Sequence, residues 1–129
     1  MGQTLTELRQ EVSAALTTAG FMASDFVPEQ VYPEQALALV GPRDPYVQPA
    51  DDQVFGVLRA TVNLQVTIIA PNAVNQESTY EIDALAVTAL KALCVDHDWT
   101  FVSFEGPGLY EGTPFPAMNL NISNRMEVN

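Results

Sequence analysis

Apolar and polar residues alternate most strictly between positions 54 and 70. The even positions read Val54, Gly56, Leu58, Ala60, Val62, Leu64, Val66, Ile68 and Ala70, whereas Arg59, Thr61, Asn63, Gln65 and Thr67 take odd positions. A period of two is that of a strand with one buried and one polar face. At about 3.3 Å per residue the run would reach roughly 55 Å, well beyond a common strand of about 5–6 residues. The excess predicts either a bulge, with Gly56 as its site, or an end that projects toward a neighbouring subunit. A second alternating run sets Met118, Leu120, Ile122, Met126 and Val128 against Asn119, Asn121, Ser123, Arg125 and Glu127. It predicts the last strand, with Asn124 interrupting the apolar row. Residues 99–105 predict the strand before it, and the Gly/Pro-rich stretch 106–116 the hairpin loop between them.

The period changes elsewhere. Leu5, Leu8, Val12, Ala15, Leu16 and Ala19 recur at helical spacing. Thr4 and Glu7 form a capping-box pair, and Gly20 fits the left-handed position after a helix. A second helix is expected over about 76–95, with Ser78 as its cap and an apolar stripe of Ile82, Leu85, Ala86, Ala89, Leu90, Leu93 and Cys94. Between helix one and the long strand, Pro28, Pro33, Pro42, Pro45 and Pro49 break the chain repeatedly. One short strand, 35–40, a turn at 41–45 and a long irregular excursion are expected there. Two helices on one face of a largely antiparallel sheet make an α+β fold, as a single domain over residues 1–129. The odd face of the long strand becomes the solvent- or partner-facing side.

Composition narrows the function. Sixteen acidic against five basic residues give a net charge of −11, with no basic patch in either half, which disfavours tight binding to a nucleic-acid backbone. One cysteine, Cys94, and one histidine, His97, exclude an internal disulfide, a cysteine-cluster zinc site and the two-histidine metalloprotease signature. No stretch reaches the roughly 20 apolar residues of a helical membrane span, and the first residues are too polar for a secretory signal.

The remaining clusters are weak as chemistry. Asp96-His97-Asp98 reads as a polar helix end rather than a metal site. Cys94 shares the apolar stripe and reads as an inert thiol. Asp51 and Asp52, with Asp44 and Glu34 nearby, lack the spacing of a calcium loop and read as solvated, or as pairing with Arg59 or Arg125 of a neighbour. Gly106-Pro107-Gly108 is no phosphate cradle, since Pro107 has no N–H. Trp99, Phe101 and Phe104 read as core. Tyr110 and Phe115 suit either docking or packing beneath their loop.

The whole order, from the Leu5–Ala19 helix through Val27-Pro28, Asp44-Pro45-Tyr46-Val47, the Leu58–Ala70 strand, Ile82-Asp83-Ala84-Leu85 and Trp99 to Asn119-Leu120-Asn121-Ile122, resembles the tail terminator (tail completion) proteins of long, non-contractile-tailed bacteriophages. The resemblance spans nearly the full length and rests on element order, size and texture. It implies an α+β protein that forms a hexameric ring on the head-proximal end of the tail tube, stops tube polymerisation and offers the surface for head attachment. It implies no enzymatic activity, metal or cofactor. The implied partners are copies of the chain itself, the major tail tube protein and a head–tail connector. DNA would pass through the lumen without specific binding, repelled by any acids that line it. The implied location is the virion, at the head–tail junction, after assembly in the host bacterial cytoplasm. Loops 41–53 and 106–116 and the ends of 54–70 become candidate contacts, with Asp44, Tyr46, Asp51, Asp52, Arg59, Tyr110, Phe115 and Arg125 as the candidate interface residues. The rival readings are a head–tail adaptor or neck protein and, in a different class, an acidic binding module unrelated to phage.

Overall fold

The computed structural model describes residues 4–24, 36–50, 58–70, 76–109 and 115–128. In chain order the elements are α1 (Leu5–Thr18), β1 (Met22–Ser24), β2 (Leu37–Pro49), β3 (Leu58–Ile69), α2 (Gln76–Cys94), β4 (Thr100–Leu109) and β5 (Pro116–Val128). The strands form one five-stranded sheet in the order β1-β2-β3-β5-β4. Every pairing is antiparallel except β1 with β2. The chain is therefore α+β, with a largely antiparallel sheet.

Local chemistry starts α1 where the sequence predicts. The Thr4 hydroxyl accepts the Glu7 backbone N–H at 3.1 Å, satisfying one of the donors that a helix start leaves open. Ala19 caps the other end, and Gly20 follows at φ +104°, a conformation that costs glycine little. Leu8, Val12, Ala15 and Leu16 of α1 and Ile82, Ala86, Ala89 and Leu93 of α2 are buried. They share one core with Ala38 and Val40 of β2, Val62, Leu64, Val66 and Ile68 of β3, and Leu120 and Ile122 of β5. Those strand residues share one side of the sheet, because the register sets Ala38 opposite Ile68 and Leu120 opposite Val66. Both helices thus cover the same sheet face. The opposite face carries the odd positions of β3.

The structure bears on five local expectations. First, Gly41-Pro42-Arg43-Asp44-Pro45 is not a turn that ends a short strand; β2 continues to Pro49. Four residues, Arg43 to Tyr46, stand opposite the single residue Asn63, because Pro42 pairs with Leu64 and Val47 with Val62. The excursion absorbs the breakers while the ladder resumes beyond it. Among the described residues β1 pairs with Leu37 to Leu39 and the proline-bearing part of β2 has a ladder partner on one side, an edge position where a missing N–H is tolerated. Second, the described part of β3 stays within its sheet. All twelve of its residues, Leu58 to Ile69, pair with β5, and residues 54–57, including Gly56, lie outside the described part. Third, Ser78 lies within α2, which begins at Gln76, and so is not its cap.

Fourth, Gly106-Pro107-Gly108 is strand, not hairpin tip. β4 continues to Leu109, which pairs with Pro116, and irregular register at Val102 and again between Glu105 and Gly108 carries the chain past the breakers. Gly106 sits at φ +109°, and a Cβ there would lie 3.3 Å from the Ala117 carbonyl oxygen, so both backbone and space call for glycine. Fifth, Phe101 is 44% exposed rather than core. Its ring tilts against Phe104 with centroids 5.1 Å apart, while Trp99 is buried as expected.

Candidate functional site

The sheet face away from the helices is built from amides and hydroxyls that bond to one another across strands. At its centre Gln65 Nε2 donates to Asn121 Oδ1 at 3.1 Å. Asn121 Nδ2 in turn donates to Ser103 Oγ and to Glu105 Oε1, both at 2.9 Å. One step along, Thr67 Oγ1 donates to Asn119 Oδ1 at 2.9 Å. These bonds tie β3 to β5 and β5 to β4 by side chains as well as backbone. Asn121 is only 2% exposed, and its bonded amide meets the requirement that a buried polar group find partners.

Asn63 does the same for β2. Its Nδ2 donates to the Pro45 carbonyl at 2.8 Å and to Gln48 Oε1 at 2.9 Å. Its Oδ1 accepts from an Arg43 Nη at 3.1 Å. One 3% exposed side chain thereby holds the excursion that its own backbone position faces. Neither Asn63 nor Asn121 was marked by the sequence as more than a polar odd position. Their burial depends on cross-strand neighbours that alternation alone does not identify.

The sequence-predicted interface residues that are described do not gather at one place. Arg59 and Arg125 come from neighbouring strands and share the open face, since Thr61 pairs with Arg125 and Arg59 stands two residues before Thr61. Such diagonal neighbours lie roughly 7–8 Å apart at the backbone. Arg125 is exposed and Arg59 half-buried; both also interact within the chain. Asp44 is exposed in the β2 excursion, beside Tyr46, which is half-buried against the main core. Phe115 is at the far end, packed on the small cluster of Leu37, Leu39, Ile69 and Ala117. Arg59 and Ile69 lie about 33 Å apart along β3. The open face therefore brings Arg59 and Arg125 together, whereas Asp44 is carried by the β2 excursion, Tyr46 packs on the helix-side core and Phe115 lies at the far end. Asp51, Asp52, Tyr110 and Glu34 lie outside the described residues.

Among the described residues, reactive groups are dispersed. Asp96, His97 and Asp98 are exposed at the end of α2, and Asp98 Oδ1 accepts a long 3.4 Å bond from Asn124 Nδ2. Among the described residues, no three His, Cys, Asp or Glu side chains gather as a metal site would require. No described helix is long and apolar enough to cross a membrane. Cys94 is half-buried beside the main core, and desolvation raises its thiol pKa above the ordinary value, because burial disfavours the thiolate. Alkylation of the native protein at pH 7.5 is therefore expected to be several-fold slower than that of a free cysteine peptide, by roughly the lost thiolate fraction. The rate should climb as pH rises and match the peptide's once the protein is denatured. Native alkylation faster than the peptide's would contradict this environment.

No protein-family model matches the chain, and no curated protein resembles it closely enough in sequence to serve as a relative.

Proposed function

We propose that the chain is a structural virion protein that caps the head-proximal end of a phage tail tube as a ring, ends tube growth and presents the surface for head attachment. The observation that carries this reading is the agreement between the fold and the element order behind the resemblance. A helix leads into a sheet whose three central strands run 12 or 13 residues, a second helix interrupts them, and both helices back one face. Strands of that length make a wall about 40 Å long, stiffened on its open face by side-chain bonds between strands. Such a wall supplies surface rather than a reaction site, which suits assembly with copies of itself, a tube protein and a connector.

The test is to place an early stop codon in the gene and image the resulting particles by electron microscopy. Overlong, headless tails are expected, because the stop on tube growth is gone. Tails of normal length beside separate heads would replace this reading with that of a head–tail adaptor. Intact, infectious particles would overturn both. Gene order offers a quick check, since a terminator gene is expected just upstream of the major tail protein gene.

A further inference from the structure

Gln48, Pro49, Ala50, Thr61 and Arg125 line a depression of about 340 Å³ on the open sheet face. Register places three of them side by side across β2, β3 and β5, with Gln48 opposite Thr61 and Thr61 opposite Arg125. The hydrogen bonds beneath them fix which polar ends are presented. The Pro45 carbonyl can only accept, so it holds the amide nitrogen of Asn63 toward itself. The same nitrogen donates to Gln48 Oε1, while the Asn63 oxygen takes the Arg43 N–H. With its oxygen accepting from Asn63, the NH₂ group of Gln48 is the end left to meet an acceptor in the depression that Gln48 lines. The Thr61 hydroxyl and the Arg125 guanidinium complete a set of donors. Arg125 is also engaged within the chain, and its guanidinium carries five N–H donors. None of the described lining residues is acidic, in a chain whose net charge is −11.

We propose that this depression is a carboxylate-binding site, with Arg125 as the charge partner and Gln48 and Thr61 as neutral donors. Charged, forked donors are what a planar carboxylate pairs with best. The acceptor comes either from an acidic side chain of a second copy of this acid-rich chain or from a small free carboxylate. The site stands whether or not the protein caps a tail tube.

Succinate titration of the full chain, followed by NMR at constant ionic strength with chloride as the balancing anion, tests it together with sedimentation velocity on the same samples. Saturable shifts at Gln48, Ala50, Thr61 and Arg125 are expected, with a midpoint on the order of 1–10 mM. Gln48→Glu is the decisive variant. Its carboxylate oxygen still accepts from Asn63, so the fold is expected to hold, but the donor end becomes a negative one and binding should fall roughly tenfold or more. Arg125→Gln should abolish saturation. If sedimentation slows as succinate rises, and is slow from the start in both variants, the native occupant is an acidic side chain of a second copy. If shifts saturate with sedimentation unchanged, the occupant is a free carboxylate. Shifts that grow linearly, or saturate equally in Gln48→Glu, with no change in sedimentation, would overturn the proposal.

Discussion

Leu64→Ala is expected to lower the free energy of unfolding by about 3 kcal/mol, whereas Leu58→Ala, on the same strand and the same side of the sheet, should cost less than about 1 kcal/mol. The two leucines differ in what covers them. Leu64 is fully buried, with Pro42 and Ile122 as its cross-strand neighbours and the helices above. Leu58 is 57% exposed at the strand's start. Removing three carbons from a packed site forfeits their transfer free energy and leaves a cavity that surrounding side chains fill only in part. At Leu58 the same carbons already face water. Domains of this size are stable by about 5–15 kcal/mol, so the first change removes a large share of the total. Urea unfolding followed through Trp99 fluorescence measures both. Equal costs at the two positions would mean that the helices do not seal the middle of β3.

The contrast between those leucines also marks how far the sequence could be read. Parity along β3 assigned both to the helix-facing side, and the Thr4, Glu7 and Gly20 signals placed α1 within a residue, because capping and strand alternation are local chemistry. Burial of one leucine and exposure of the other depend on where the helices end above the sheet, which is not local. The same division explains β2. Pro42 and Pro45 carry strong local signals for a break and predict that the strand ends there. The ladder with β3 resumes at Val47 all the same, because the pairing on its far side outweighs an interruption that four excursion residues can contain. β4 passes Gly106 and Pro107 for a similar reason. The described β1 covers three residues, too few to show a period. At the open face, parity alone put Arg59 and Arg125 on one side. Gln48 could not be placed with them, because the excursion shifts the register of β2 by three residues, and only the paired strand reveals that shift.

Asn63→Ala is expected to cost about 2–3 kcal/mol and to do so locally. The substitution removes the acceptor of an Arg43 N–H and the donors of the Pro45 carbonyl and Gln48 Oε1 together. Pro45 and Gln48 are exposed and Arg43 is half-buried, so water replaces part of each lost bond and the cost is near that of three net hydrogen bonds of about 1 kcal/mol each. The three partners all belong to the excursion or to the residues just beyond it, so its attachment to β3 loosens before the core does. Trypsin reads that difference. The chain has only five lysine and arginine residues, and Arg43 is followed by Asp44, which permits cleavage. Brief digestion under native conditions should cut Asn63→Ala after Arg43 while sparing Arg9, Arg59, Lys91 and Arg125, and should leave the natural protein intact at the same protease concentration. Cleavage at all five sites would mean that Asn63 supports the whole fold rather than this excursion. An unchanged pattern together with unchanged stability would mean that the bonded amide is not what holds β2 against β3. The outcome also bears on the carboxylate site, because Asn63 holds the amide oxygen of Gln48, which lines that depression. A loosened excursion in Asn63→Ala should weaken succinate binding even though Asn63 does not line the depression.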